Sequence, residues 1–165
     1  MIEQVLKPKN LYKAYRQVVR NKGAAGIDHM KVGGLLSYLD NNRNLIINMV
    51  ANHAYVPDPI LGVEIPKSNG KTRLLGIPTV VDRWLQQAVS QALSSKFELN
   101  FEDYSYGFRP KKNIHKAVSQ SLKYINDGFQ DIVDIDLKGF FDEVDYSVTI
   151  DLQEGKMSLH LAADP

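Results

Sequence analysis

The sequence of 165 residues contains no cysteine, a single tryptophan and no long hydrophobic run. Without thiols, neither a disulfide framework nor a thiolate zinc site can form. The first residues lack the apolar run of a signal peptide, and no segment approaches the roughly 20 apolar residues of a transmembrane helix. We therefore expect one domain, or one large domain cut short, in a reducing compartment and with no membrane contact.

Net charge is also nearly absent, at +1, but this value hides an asymmetry along the chain. Residues 1–116 contain 17 Lys and Arg against 9 Asp and Glu, whereas residues 117–165 contain 3 against 10. A basic first part favours a polyanionic partner, and an acidic second part favours metal ligands or a solvated face. Neither part is charged enough to decide its function.

The most informative segment is acidic and reads DIVDIDLKGFFD at residues 131–142. Alternation predicts a short strand with Ile132, Asp134 and Asp136 on one face. Carboxylates at the end of a buried strand are costly unless a cation lies among them, and Mg²⁺ accepts one or two carboxylates together with phosphate oxygens of a substrate. A strand whose acids face water has the same spacing, so both interpretations stay open.

Residues 61–78 predict a β-hairpin, because an Asn-Gly pair separates two apolar runs. Lys67, Lys71 and Arg73 flank the turn. They would suit phosphate oxygens, since arginine offers a planar fork and lysine a point charge. An exposed turn with solubilising charges would explain the same three residues.

Helical periodicity and breakers predict the elements before the hairpin. Pro8 suits the first turn of a basic amphipathic helix, which is either solvated or in contact with RNA. The glycine-rich residues 23–28 suggest a loop, either a plain connection or a close approach to a ligand. Residues 31–52 are expected to be helical, with an interruption around Asn41-Asn42.

Two further helices are expected after the hairpin. Thr79-Val80-Val81-Asp82 matches a capping box, so a helix should start there with Trp84 in the core. The next helix should end at Asn126-Asp127-Gly128. Its expected inward residues are Ile114, Ala117, Val118, Leu122 and Ile125.

Four blocks, taken together, resemble the N-terminal part of group II intron reverse transcriptases (maturases). They read NKGAAGIDHM (21–30), IPKSNGKTRLLGIPTVVDRWLQQAVSQAL (65–93), FEDYSYGFRPKKNIHKAV (101–118) and VDIDLKGFFDEVD (133–145). Their order and approximate spacing match that family. The implied fold is α+β: right-hand polymerase fingers with an incomplete palm, helix-rich, with a β-hairpin and a short antiparallel sheet.

The resemblance also implies a division of the chain. Residues 1–60 would be the N-terminal extension and first finger helices, and residues 61–116 the fingers with the β-hairpin. Residues 117–145 would begin the palm with its catalytic strand, and residues 146–165 form a divergent tail.

Nucleotide and metal roles follow from the same resemblance. Asp136 matches a catalytic metal ligand, and the carbonyl of Leu137 matches a second oxygen donor. Phe141 matches the bulky residue under the nucleotide sugar, and Lys67 and Arg73 match residues that grip the incoming triphosphate. The implied cofactor is Mg²⁺, with Mn²⁺ as an alternative.

The implied partners of the full-length protein are template RNA, intron RNA, a DNA primer and a dNTP. Candidate nucleic-acid contacts lie in the glycine-rich loop, at the hairpin tip and in the aromatic loop before the last helix. These residues are Gly23, Gly26, Lys71, Arg109, Lys111 and Lys112.

The family's palm also needs a Tyr-x-Asp-Asp hairpin, and no such string occurs in this sequence. We therefore expect this fragment of a bacterial cytoplasmic protein to be inactive alone and to form a homodimer through an exposed palm edge. Two other functions stay open. One is a non-catalytic module that binds intron RNA, and the other is a metal-dependent nuclease built on the acidic segment.

Overall fold

The computed structural model describes residues 1–68 and 70–137, and the chain divides into two units, Met1–Val118 and Ser119–Pro165. The described part is a helix-rich α+β chain with one two-stranded antiparallel sheet. Two single-turn 3-10 helices span Val32–Gly34 and Glu98–Asn100. The helices and strands are α1 (Ile2–Val5), α2 (Pro8–Asn21), α3 (Leu35–Ala51), β1 (Leu61–Pro66), β2 (Thr72–Ile77), α4 (Val80–Phe97) and α5 (Ile114–Asn126).

The core of the first unit forms where α2 packs against α4. Pro8 occupies the first turn of α2, as its fixed φ predicts. Trp84 of α4 is 1% exposed, and its indole N–H donates to the Leu11 carbonyl at 2.9 Å, which confirms its prediction as a core residue. The core side chains are Val5, Leu11, Ala14, Val18, Val32, Leu35, Leu39, Ile46, Val80, Val81, Trp84, Leu85 and Ala88.

A small amide network joins α1, α2 and α4 beside this core. The Asn10 amide donates to the carbonyls of Val5, at 2.8 Å, and Ala88, at 2.9 Å. The Gln91 amide in turn donates to the Asn10 side-chain oxygen at 2.8 Å. These bonds satisfy backbone carbonyls near the core, and they fix the N-terminal turn against α4.

Helix α3 runs without a break from Leu35 to Ala51, so the predicted interruption around Asn41-Asn42 is wrong. The side-chain amides of Asn41 and Asn42 donate to the carbonyls of Ser37 and Tyr38, one turn earlier, at 3.2 and 2.9 Å. Asparagine disfavours helix interiors because its side chain competes for backbone groups. Here that competition is resolved within the helix itself.

The predicted hairpin is confirmed. Strands β1 and β2 pair antiparallel from Leu61↔Ile77 to Pro66↔Thr72. Gly70 adopts φ +78° in the turn, a backbone conformation that glycine accepts without strain. Most of both strands is exposed, so cross-strand pairing supplies much of the order of this hairpin.

Helix α5 ends as predicted, but its apolar face does not pack as predicted. Gly128, at φ +100°, donates to the Ile125 carbonyl and Phe129 to the Tyr124 carbonyl, which together form a Schellman cap. The expected inward face is exposed at Ile114, Val118, Leu122 and Ile125, and Ala117 is half-buried. Periodicity shows which face is apolar, whereas burial also requires a partner element.

The acidic segment forms no strand in residues 131–137, where every residue is exposed. The prediction of a strand there is therefore wrong for these residues. Alternating apolar residues favour a strand, but a strand exists only as part of a ladder, and within residues 1–68 and 70–137 no other strand pairs with it. Phe141 and Asp142 lie outside the described residues.

In the described part, no helix has the length and hydropathy to cross a membrane.

Candidate functional site

Three cationic side chains share one face of the hairpin near its tip. Alternation from the Ile65↔Arg73 pair places Lys67 and Lys71 opposite each other on the face that carries Arg73. The Lys67 N–H donates to the Lys71 carbonyl at 2.6 Å, which continues the ladder to this position. All three residues are exposed. We call Lys67, Lys71 and Arg73 the cation face.

The two ends of the hairpin meet at one buried carboxylate, that of Asp82 in the first turn of α4. Asp82 is 4% exposed. One of its oxygens accepts from the Tyr55 hydroxyl at 2.7 Å, and the other accepts from the Asp58 N–H at 3.2 Å and the Thr79 hydroxyl at 2.6 Å. Tyr55 and Asp58 precede β1, and Thr79 follows β2. We call these four residues the hairpin root.

Thr79 also begins α4, as the capping motif predicts. Its hydroxyl oxygen accepts from the Asp82 N–H at 3.2 Å, so it is the helix N-cap. In a reciprocal capping box the acid would return to the backbone N–H of the N-cap residue. The Asp82 carboxylate instead holds the hydroxyls and the N–H of the hairpin root, a role that the motif alone does not reveal.

Burial, together with the hydrogen bond to Asp82, raises the pKa of Tyr55 well above its ordinary value of 10.0. A group whose pKa is raised on folding stabilises the fold below its unfolded pKa and loses that contribution as pH rises above it. We expect Tyr55→Phe to be less stable than the wild type at pH 8, and the difference to narrow above about pH 10. Urea unfolding of both proteins from pH 8 to pH 11 measures this. A difference that stays constant over that range would contradict it.

The glycine-rich loop, residues 23–28, packs on the segment that follows β2. Gly26 is buried, and a Cβ there would lie 2.8 Å from the Pro78 carbonyl oxygen and from two backbone atoms of Thr79. Arg83, next to Asp82, donates to the Ala24 carbonyl at 2.6 Å. The glycine at position 26 is thus explained by close packing, and its contact with RNA stays a prediction.

An open pocket of about 310 Å³ lies between this loop, the end of α2 and α4. Gly23 and Arg83 contribute to its wall beside side-chain amides and a hydroxyl. Such groups offer donors and acceptors to phosphates or base edges. The lining residues are Val18, Asn21, Gly23, Arg83, Gln86, Gln87 and Ser90.

The Arg109 side chain stabilises the loop at residues 98–112 through contacts within that loop. Its side chain is 7% exposed, and its guanidinium forms an ion pair with Glu98 at 3.0 Å. The same group donates to the Glu102 and Ser105 carbonyls and lies 5.0 Å from the centre of the Phe101 ring. Most of its N–H donors are therefore engaged within the protein, and a direct contact with nucleic acid stays untested.

The two lysines after Arg109 are placed differently. Lys111 is exposed, at φ +61°. The half-buried Lys112 donates to the Asp103 carbonyl at 2.6 Å and lies 5.1 Å from the centre of the Tyr106 ring. Of this pair, Lys111 has the side chain that lies more openly in solvent.

Asp136 and Leu137 are both exposed and lie at the end of the described residues. Residues 1–68 and 70–137 contain no group of three or more His, Cys, Asp or Glu placed to hold a metal ion. Within that part of the chain, Asp136 would supply one carboxylate ligand, which does not form a metal site by itself.

Comparison with known protein families gives this arrangement its context. The model of the family described as reverse transcriptase (RNA-dependent DNA polymerase) matches residues 65–153, from the hairpin through the acidic segment. The chain belongs to this family. The match includes the cation face, the hairpin root from Thr79 onward, the Arg109 loop and Asp136.

Similarity to individual proteins supports the resemblance to group II intron reverse transcriptases. The chain is 36% identical to group II intron-encoded protein LtrA of Lactococcus lactis, over 90% of this chain and 24% of that protein. It is 32% identical to protein YkfC of Escherichia coli, over 87% of this chain and 39% of that protein. The chain thus spans well under half the length of these relatives.

Sequence reasoning assigned Asp82 only a capping role, and it missed Tyr55 and Asn10. Tyr55 lies just beyond the helix expected over residues 31–52, and Asn10 carried no signal at all. Their importance comes from contacts between segments far apart in the chain. The one available clue was an acid that follows a predicted N-cap in an otherwise apolar turn.

Proposed function

We propose that this chain is the fingers and the beginning of the palm of an RNA-directed DNA polymerase of the group II intron type. Its hairpin grips the triphosphate of an incoming dNTP. The observation that carries the proposal is the cation face, because alternation brings Lys67, Lys71 and Arg73 to one side of the hairpin. In phosphoryl transfer, catalysis rests on positioning and charge stabilisation, so cations directed at the phosphates are the expected protein contribution.

Within this proposal the cations differ in task. Arg73 binds two phosphate oxygens through its planar fork, and Lys67 adds a point charge beside it. Lys71, opposite Lys67 at the tip, faces the nucleic-acid backbone. Phe141 would pack under the sugar of the bound nucleotide.

RNA contact is proposed for a second surface, formed by the glycine-rich loop and the pocket beside it. Gly23 is exposed there, and the pocket offers Asn21, Gln86 and Ser90 to a backbone or a base. Lys111, exposed just before α5, is proposed as a further RNA contact. Contacts of the Lys and Arg side chains with phosphates would give a salt-dependent affinity for template or intron RNA.

Reverse transcriptases generally use a divalent metal ion, and Mg²⁺ is the proposed cofactor. Asp136, with the carbonyl of Leu137, would supply part of its ligands. Nucleotide addition by the fragment alone is not proposed. Dimerisation through an exposed palm edge stays a prediction.

The test of the proposal is the affinity of the chain for inorganic tripolyphosphate and for a dNTP, measured by calorimetry at about 0.15 M salt. We expect Lys67→Gln with Arg73→Gln to weaken binding of both ligands roughly tenfold, since each removed cation loses a charge-assisted hydrogen bond. The matched control is Lys7→Gln with Lys9→Gln, an exposed pair with the same loss of charge.

The control separates a specific grip from general attraction between a basic chain and an anion. If both double variants lose affinity equally, the cation face is not a binding site and the proposal is wrong. If the control retains wild-type affinity while the hairpin variant does not, the site is on the hairpin.

A further inference from the structure

We infer that Asp82 is a positioning residue, which fixes the direction of the hairpin and thereby holds the cation face toward its ligand. This inference deepens the proposed function and rests on it for the identity of the ligand. The observation that carries it is the hairpin root, where segments on both sides of the hairpin bind one buried carboxylate.

Among the described residues, 1–68 and 70–137, the hairpin packs mainly on itself, so its orientation needs such a device. Both of its strands are largely exposed, and Leu74, Leu75 and Val63 present apolar surface to solvent. A two-stranded hairpin without a packed face is marginally stable and free to change its direction. Its orientation therefore depends on the connections at its two ends.

Those connections converge on the first turn of α4. Tyr55 and Asp58 fix the entry to β1, and Thr79 fixes the exit from β2, through bonds of 2.6–3.2 Å to Asp82. Asp82 is 4% exposed and accepts donors on both oxygens; the bond from Thr79 is buried, and those from Tyr55 and Asp58 are partly buried. Buried bonds to a carboxylate are worth more than exposed ones and are costly to break singly.

The glycine-rich loop, residues 23–28, also packs against the hairpin root. Gly26 lies against the backbone of Pro78 and Thr79, and Arg83 ties the Ala24 carbonyl to α4. Asp82 therefore binds the other residues of the hairpin root, and the adjacent Arg83 binds the glycine-rich loop. A change at Asp82 would release the hairpin while Trp84 and the core below it stay packed.

The direct test measures the spread of hairpin directions. Since the chain contains no cysteine, Ser68→Cys at the hairpin tip and Ser95→Cys on α4 allow two spin labels to be placed specifically. Pulsed electron resonance then gives the distance distribution between them. We expect Asp82→Asn and Thr79→Val to broaden it, and Thr79→Ser, which keeps the hydroxyl, to restore the narrow distribution.

The matched control is Asp40→Asn, which removes an exposed carboxylate from α3. It should leave the distance distribution unchanged. If Asp82→Asn fails to fold, Tyr55→Phe removes one bond of the same root and should broaden the distribution to a smaller degree. An equally narrow distribution in the folded Asp82, Thr79 and Tyr55 variants would overturn the inference.

The affinity for tripolyphosphate is a second measurement. The direction in which it changes distinguishes positioning by Asp82 from a purely electrostatic effect. Asp82→Asn removes a negative charge, so electrostatics alone would leave tripolyphosphate binding unchanged or tighter. Positioning by Asp82 predicts the opposite, a weakening of about three- to tenfold, with Asp40→Asn unaffected. Unchanged or tighter binding in the folded Asp82 variant would overturn the inference.

The two proposals fail separately. If the wild type binds tripolyphosphate without dependence on Lys67 and Arg73, the proposed grip is wrong, and the spin-label distances still decide whether Asp82 positions the hairpin. If the distances do not respond to Asp82, the positioning role is wrong, whatever the cation face binds.

Discussion

Trp84→Ala is expected to lower the free energy of unfolding by about 3–5 kcal/mol, a loss typical of a large buried aromatic side chain. The indole is 1% exposed between α2 and α4, so its removal leaves a cavity in the part of the core that joins these helices. The Leu11 carbonyl would also lose the indole N–H, which now donates to it at 2.9 Å. Urea unfolding followed by circular dichroism measures the loss.

Trp84→Phe separates the two contributions. It keeps an aromatic ring but removes the hydrogen bond and part of the volume, so we expect a smaller loss of about 1–3 kcal/mol. Val89→Ala on the exposed side of α4 is the control and should change the free energy of unfolding by less than about 1 kcal/mol. An equal loss in the Trp84→Ala and Val89→Ala variants would contradict the assignment of Trp84 to the core.

Arg109→Ala should lower the free energy of unfolding by about 2–3 kcal/mol and open the loop at residues 98–112. The guanidinium joins Glu98 to the carbonyls of Glu102 and Ser105, and its removal leaves those acceptors without their donor. Its neighbour Phe108 lies at φ +54°, a backbone conformation that is unfavourable for a bulky side chain. Amide hydrogen exchange of the loop should therefore accelerate.

Two variants define what Arg109 does. Arg109→Lys keeps the charge but not the planar fork, so it should recover less than half of the lost protection. Arg43→Ala, at an exposed position on α3, should leave the loop unchanged. Normal protection in Arg109→Ala together with a loss of RNA affinity would show that this residue contacts nucleic acid instead of organising its loop.

Local signals in the sequence predicted much of the fold. The Asn-Gly pair located the hairpin, Thr79 located the start of α4, and Pro8 located the start of α2. Each of these features depends on the backbone preferences of a few adjacent residues, which can be read directly from the sequence. The cation face could also be predicted, because register follows from the turn.

Features that depend on distant segments could not be predicted in the same way. Asp82 binds groups 24 and 27 residues earlier in the chain, and nothing in its neighbours indicates them. The family resemblance suggested a nucleic-acid contact for Arg109, whereas most of its N–H donors are satisfied within the protein. Similarly, the apolar side of α5 was evident, but whether another element covers it is not a local property.

The pairing of α2 with α4 has a consequence for synthesis. The bonds from Trp84 to Leu11 and from Gln91 to Asn10 join residues 73 and 81 positions apart. At typical elongation rates of 5–20 residues per second, α4 is completed roughly 4–15 s after α2. During that interval a helix of 14 residues has little stability of its own. The α2 segment therefore gains most of its helical stability only when its partner helix emerges.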